Sequence, residues 1–218
     1  MQQMRVIKPT RRSVSGLYSY NGLSIPYEST LERDFVIFQT FRTNVLEVIA
    51  QPVVIPFKKN GRAYKYTPDY FVHLDDGAEY RQELIKHLIV EVKPRSEWKK
   101  NWRDWSDKWK AAISYSDEHN FRFKIYDESR IHHKGLENVK YVLRFRKTAC
   151  CEHDIQVILN QVEMMGNTTI EYLLEKFFKG GIYRPQGKRT ILHLLGTKRL
   201  GFDFWEELDE KTEVWHVQ

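Results

Sequence analysis

Apolar positions recur along this chain with two different periods. From Ser29 onward, Leu31, Phe35, Phe38 and Phe41 fall three or four apart, the spacing of an amphipathic helix. Ser29 or Thr30 can cap that helix. Val45–Phe57 reads as extended, because Pro52 and Pro56 argue against helix. Ala63–Tyr66 and Pro68–Leu74 form a hairpin-like pattern, followed by an Asp75-Asp76-Gly77 turn. A strand over His87–Lys93 is closed by Pro94, and Arg95–Ser116 returns to the helical period. Phe121–Tyr126 and Tyr141–Phe145 alternate as further strands. This order predicts an α/β domain, a mixed sheet flanked by helices.

Beyond residue 148 the pattern changes. Helices are predicted over Asp154–Met164, Ile170–Phe178 and Lys188–Leu195, followed by strand-like Phe202–Trp205 and Glu213–His216 around a charged turn. Three short helices and a two-stranded tip are the order of a small α+β winged-helix-like domain. The predicted division is therefore 1–148 and 149–218.

The length of 218 residues suits one large domain or two modest ones. With 41% hydrophobic and 29% charged residues there is material for a core, which excludes wholesale disorder. The net charge of +6 is uneven. Residues 1–148 hold 27 Lys and Arg against 18 Asp and Glu, or +9, whereas 149–218 hold 8 against 11, or −3. A basic first part suits phosphates and an acidic second part suits a different partner. Apolar runs such as Leu88-Ile89-Val90 are far too short to span a bilayer, and Met1–Ser15 lacks the apolar core of a secretory signal. The only cysteines, Cys150 and Cys151, are adjacent, which fits a reducing, cytoplasmic compartment. Neither a Walker-type loop nor a G-x-S-x-G elbow is present.

Candidate chemistry gathers at one strand. With a period of two, Glu91 and Lys93 share a face, with Val90 and Val92 on the other. Asp69 opens a strand after Pro68, so pairing of the two strands brings both carboxylates to one metal ion. Two carboxylates and water suit Mg²⁺, a hard cation that keeps part of its hydration shell. Such an ion lowers the pKa of bound water and neutralises phosphodiester charge. Lys93 can orient that water or stabilise the transition state, and Glu32 can supply a third carboxylate. An acid-x-Lys triplet alone is weak evidence. Asp209-Glu210-Lys211 also satisfies it, but in a polar turn with no preceding Pro-Asp strand.

The order Ser29-Thr-Leu-Glu32, Thr67-Pro-Asp69-Tyr, Val90-Glu-Val-Lys93-Pro resembles the PD-(D/E)xK restriction-endonuclease-like superfamily, and within it the TnsA endonuclease subunits of heteromeric transposases. The resemblance covers nearly the whole chain. It implies metal-dependent hydrolysis of double-stranded DNA at transposon ends, with the catalytic carboxylates at Glu32, Asp69 and Glu91, the lysine at Lys93, Asp69, Glu91 and Glu32 as metal ligands, and Mn²⁺ able to replace Mg²⁺. Some relatives carry Gln where this chain has Glu91, so direct metal ligation is favoured here. It further implies cutting of the 5′ strands beside a DDE transposase (TnsB-type) and contact with an AAA+ ATPase regulator (TnsC-type) through the C-terminal domain. The alternatives are another nuclease of the superfamily, in restriction or repair, and a non-catalytic DNA-binding assembly factor.

Lys99, Lys100, Arg103, Lys108 and Lys110 are candidates for phosphate contacts on the second helix, as is the arm Arg5–Arg12. Trp98, Trp102, Trp105 and Trp109 line one face of that helix and read as a core stripe rather than a base-stacking platform. Cys150-Cys151-Glu152-His153 lacks the ligand spacing of a zinc site, and His132-His133 reads as an exposed loop pair. In the C-terminal part, Lys188, Arg189, Lys198 and Arg199 could meet DNA, but Asp203, Glu206, Glu207, Asp209 and Glu210 would repel a phosphate backbone. A protein-docking role is expected there.

Overall fold

The computed structural model describes residues 14–20, 22–75 and 86–217. The arm Arg5–Arg12 and the Asp76-Gly77 portion of the predicted turn lie outside the described residues. The chain divides between His132 and His133 into two units.

The first unit begins with a hairpin that the sequence pattern does not announce, β1 (Gly16–Tyr20) against β2 (Leu23–Tyr27). Helix α1 (Thr30–Phe41) follows, and Ser29 caps it: the Ser29 Oγ accepts the Glu32 amide at 3.1 Å. Phe35 and Val36 of α1 are fully buried. The extended stretch resolves into β3 (Val45–Ala50) and β4 (Ile55–Lys59). Next come β5 (Arg62–Tyr66), β6 (Tyr70–Leu74) and β7 (Leu88–Val92), helices α2 (Arg95–Lys100) and α3 (Trp102–Glu118), strand β8 (Arg122–Tyr126) and the short α4 (Glu128–Ile131). The helix predicted over Arg95–Ser116 is thus interrupted at Asn101.

The main sheet has the order β3-β6-β7-β8, antiparallel except for the parallel β7–β8 pair. This is the mixed α/β sheet expected of a restriction-endonuclease-like core. Strand β7 is buried at every position, as a central strand covered on both faces must be. Phe35 of α1 meets the rings of Tyr70 and Tyr126 on one face, and Trp109 of α3 meets Phe123 on the other.

The hairpin partner of β5 differs from expectation. Arg62–Tyr66 pairs with β4, not with the Pro68–Leu74 segment, which instead joins β3 and β7. Asn60 and Gly61 both have positive φ, 50° and 75°. That is the geometry of the two-residue turn that best matches strand twist. Pro68 separates β5 from β6.

The second unit corrects two expectations. The segment predicted as strand Tyr141–Phe145 falls in helix α5 (Lys134–Leu143) and the turns after it. Tyr-Val-Leu-Arg-Phe-Arg alternates locally, but Leu136, Val139 and Val142 recur every third residue and are all buried. The His133 Nδ1 caps the helix by accepting the Leu136 amide at 3.2 Å. Consequently α5 belongs to the second unit, and the division comes at 132/133 rather than 148/149. Residues 1–132 then carry 22 Lys and Arg against 17 Asp and Glu, and residues 133–218 carry 13 against 12. The contrast of +9 and −3 shrinks to +5 and +1.

The remaining elements are α6 (Glu152–Met165), β9 (Asn167–Thr169), α7 (Ile170–Phe177), α8 (Tyr183–Gly196), β10 (Leu200–Phe202) and β11 (Glu213–His216). The strands form one antiparallel sheet in the order β10-β11-β9. Helix α5 packs on α8, where a Cβ on Gly196 would collide with the Val142 carbonyl oxygen. A fragment starting at residue 149 loses Leu136, Val139 and Val142 from this core, each worth about 1.5–3 kcal/mol of burial. Thermal melting of 133–218 and 149–218 side by side is expected to show a cooperative transition only in the longer piece. Equal melting would mean that α5 is dispensable to the unit.

Candidate active site

Strand pairing builds the site. Tyr70 stands opposite Val90 in the β6–β7 register, so Asp69, one step before Tyr70, lies beside Glu91 and Val92. The Val92 amide donates to Asp69 Oδ2 at 2.7 Å, and the Asp69 carbonyl accepts the Gln51 amide at 2.8 Å. Lys93 follows β7 directly, and its amide continues the ladder to the Tyr126 carbonyl at 3.0 Å. Asp69, Glu91 and Lys93 are thus fixed by backbone bonds rather than by loop geometry.

Glu91 is almost completely buried, with 2% of its surface exposed. A buried carboxylate needs partners, and it has several. The Tyr66 hydroxyl donates to Oε2 at 2.6 Å, Lys108 Nζ lies 3.2 Å from Oε1, and Lys93 Nζ lies 3.8 Å from the same oxygen. Burial, Glu91 and Glu32 together hold the Asp69 carboxyl well above its usual pKa, against the opposing pull of Lys93 and the Val92 amide. Burial pushes the Lys93 ammonium down, but Asp69, Glu91, Glu97 and Glu32 outweigh it and leave its pKa raised. Lys93 is therefore fully protonated at neutral pH. In that form it can donate hydrogen bonds and offset negative charge.

Glu32 belongs to a different part of the site. Its carboxylate accepts the Glu28 amide at 2.8 Å and the Ser29 hydroxyl at 3.0 Å, and the Tyr70 hydroxyl lies 3.2 Å away. Burial raises its pKa, opposed by those first two bonds and by Lys93. Among the described residues, no group of three or more His, Cys, Asp or Glu side chains has the arrangement of a metal site. Glu32 is near enough to Asp69 for its charge to help raise the Asp69 carboxyl. Asp69 and Glu91 form a facing pair, with Glu32 held by α1 and Tyr70. Glu91 is buried and Asp69 half-buried, and two such mutually repelling carboxylates are a donor set that fits a divalent cation with oxygen preference, which takes one or two carboxylates and keeps its waters.

Of the five basic residues on α2 and α3 expected to meet phosphates, Lys99, Lys100, Arg103 and Lys110 are exposed. Lys108 turns inward to Glu91, and its Nζ also sits 4.5 Å from the Trp105 ring centre and 5.0 Å from that of Tyr66. Of the four tryptophans only Trp109 is truly buried, and Trp102 is half exposed. The Trp98 indole donates to Asp127 at 3.1 Å. Tyr66 escapes sequence reasoning altogether. The residue lies 25 positions from Glu91 on another sheet.

The segment that holds Asp69, Glu91, Lys93 and Lys108 is also the one that matches a known family. Residues 42–128 match the family model described as TnsA-like endonuclease N terminal. This segment is similar to TnsA-like endonuclease N-terminal domains. The match takes in all strands from β3 to β8, together with α2 and α3; α1 and Glu32 precede it. No curated protein matches the chain. Among the described residues, no helix is long and apolar enough to cross a membrane.

Within the TnsA-like domain, Tyr66→Phe removes the neutral donor to a buried carboxylate. Hydrogen bonds to charged groups contribute about 1.5–3 kcal/mol, so denaturant unfolding is expected to show a loss of that size. An unchanged midpoint would mean that Lys108 alone satisfies Glu91.

Proposed function

We propose that this chain is a divalent-metal-dependent DNA endonuclease that cuts the 5′ strands at transposon ends beside a DDE-type transposase. The observation that carries the reading is the Asp69–Glu91 pair, flanked by a protonated Lys93, inside a segment matched to TnsA-like endonucleases. Asp69 and Glu91 would hold Mg²⁺, or Mn²⁺ in its place. When bound, the cation supplies charge to the phosphodiester oxygens and a water of lowered pKa. Lys93 meets the charge that builds on the phosphate in the transition state. Tyr66 and Lys108 hold Glu91 in position. Glu32 sets the electrostatic background through Lys93. The exposed Lys99, Lys100, Arg103 and Lys110 suit phosphate contacts that place the duplex without reading its sequence.

For residues 133–218 we read a winged-helix-like unit that docks an AAA+ ATPase regulator. After α5 its elements run α6-β9-α7-α8-β10-β11, which supports the winged-helix reading, and β9 adds a third strand to the predicted pair. The support for docking is local, since the unit's net charge is close to zero. Lys188 and Arg184 of α8 are engaged by Glu210 of the acidic tip, Lys188 at 3.5 Å. That pairing reduces the positive field α8 could offer to DNA.

The test is strand-specific cleavage of labelled transposon-end DNA with the partner transposase and Mg²⁺. The 5′-strand cut alone is expected to vanish with Asp69→Ala. Identical products from both proteins would refute the nuclease role.

A further inference from the structure

The hairpin of β4 and β5 carries four cations, Lys58, Lys59, Arg62 and Lys65, and no acid, interleaved with Phe57, Tyr64 and Tyr66. Between this hairpin and α3 lies a cavity of about 290 Å³, lined by Phe57, Asn60, Tyr64, Asp104, Trp105 and Lys108, with Lys59 at its edge. Phe57 and Tyr64 stack 5.6 Å apart at 26°, and Tyr64 keeps 44% of its surface exposed. The Lys59 ammonium ties the hairpin to α3 through the Asp104 carbonyl at 2.7 Å. At the inner end Lys108 spans two environments: its Nζ sits over the Trp105 ring and pairs with Glu91.

We propose that this cavity receives an unpaired nucleobase of the DNA strand whose backbone lies at Asp69 and Glu91. The proposal rests on the nuclease reading of that carboxylate site. Three features argue for a base over another occupant. Three of its lining side chains, Phe57, Tyr64 and Trp105, are aromatic, and aromatic rings stack on any base. The volume sits at the lower end of the roughly 300–1,000 Å³ seen for small-ligand pockets, so it takes a ring system rather than a peptide or a helix. Lys108 lines the cavity and also pairs with Glu91, which puts the cavity next to the carboxylate site, as neighbouring base and phosphate of one strand require. Asn60 and the Asp104 carboxylate supply polar edges for the base's amino and carbonyl groups. The hairpin cations track the backbone.

The test compares a thymidine oligonucleotide with an abasic strand of equal length and charge. Affinity of the full-length protein is read by fluorescence anisotropy in Ca²⁺. Tyr64→Ala is expected to weaken the thymidine strand about tenfold while leaving the abasic strand unchanged, with Tyr64→Phe restoring the difference. Tyr64 is exposed, so its truncation leaves the core intact; Trp105→Leu provides a second wall variant with the same expected selectivity. Equal loss on both strands would overturn the proposal, since it would assign the hairpin to backbone contacts alone. No loss on either, or no binding by the wild type, would overturn it as well. Cleavage by the wild type in Mg²⁺ is scored in parallel. Cutting without base selectivity sinks the pocket and spares the nuclease reading, and base selectivity without cutting does the reverse.

Discussion

Asp69→Asn is expected to raise the melting temperature of the metal-free protein at neutral pH. The Asp69 carboxyl is raised well above its ordinary value near 3.8 by burial first and by Glu91 next. A carboxyl with a higher pKa in the folded chain binds more protons when folded than when unfolded. Its contribution to stability is therefore fully present below pH 3.8 and is lost as pH rises through the folded pKa. Asparagine keeps an oxygen for the Val92 amide and removes the charge. The gain should appear as a rise of about 2–4 °C for each kcal/mol recovered, shrinking toward zero as pH falls to the ordinary carboxylate range. Mg²⁺ should raise the melting temperature of the wild type by binding the folded state, and not that of the variant. A lower melting temperature for Asp69→Asn, or equal stabilisation of both proteins by Mg²⁺, would contradict the assignment of Asp69 as a strained ligand.

Lys93→Met is expected to lower cleavage about 10²–10³-fold, the usual loss when one charged donor to a developing oxyanion is removed. The variant also separates charge from basicity. Because the Lys93 pKa is raised above 10.5, the wild-type rate should show no falling limb from this residue below that pH. The Asp69 carboxyl, raised in the metal-free protein, must lose its proton before a cation binds, so at limiting Mg²⁺ the rising limb should report that step, at a pH above the ordinary carboxylate range. Without Lys93 the Asp69 carboxyl loses the favourable charge that opposes its upward shift, so the rising limb should move to higher pH in Lys93→Met. A rising limb in the wild type that disappears in the variant would instead make Lys93 the general base.

The carboxylate pair was legible in the sequence because its geometry is encoded locally. Pro68 ends one strand segment and leaves Asp69 at the mouth of the next, while Pro94 stops β7 just past Lys93. Two strands of period two then need only pair for the charges to meet. The Ser29–Glu32 cap was legible for the same reason. Tyr66 and Lys108 were not, because their roles arise from packing between elements. Tyr66 reaches Glu91 from a separate two-stranded sheet. Lys108 is one of several lysines on its helix, although its position three residues after Trp105 and four before the buried Ala112 marks an inward face. The Asn60-Gly61 turn was a local signal that outranked the hairpin chosen at Ala63–Leu74. Helix α5 misled through six alternating residues whose longer context, back to Leu136, is helical. Moving that helix to the second unit also erased most of the charge asymmetry on which its acidic character rested.

The most direct test of the central claim is Mg²⁺-dependent 5′-strand cleavage of end-labelled transposon-end DNA by the full-length chain beside its partner transposase, wild type and Asp69→Asn in parallel. The account predicts 5′-strand cutting by the wild type that EDTA abolishes, and none by a variant that is folded and more heat-stable. Cutting of the 5′ strand by Asp69→Asn at the wild-type rate would show that these carboxylates are structural and that the chain does its work elsewhere.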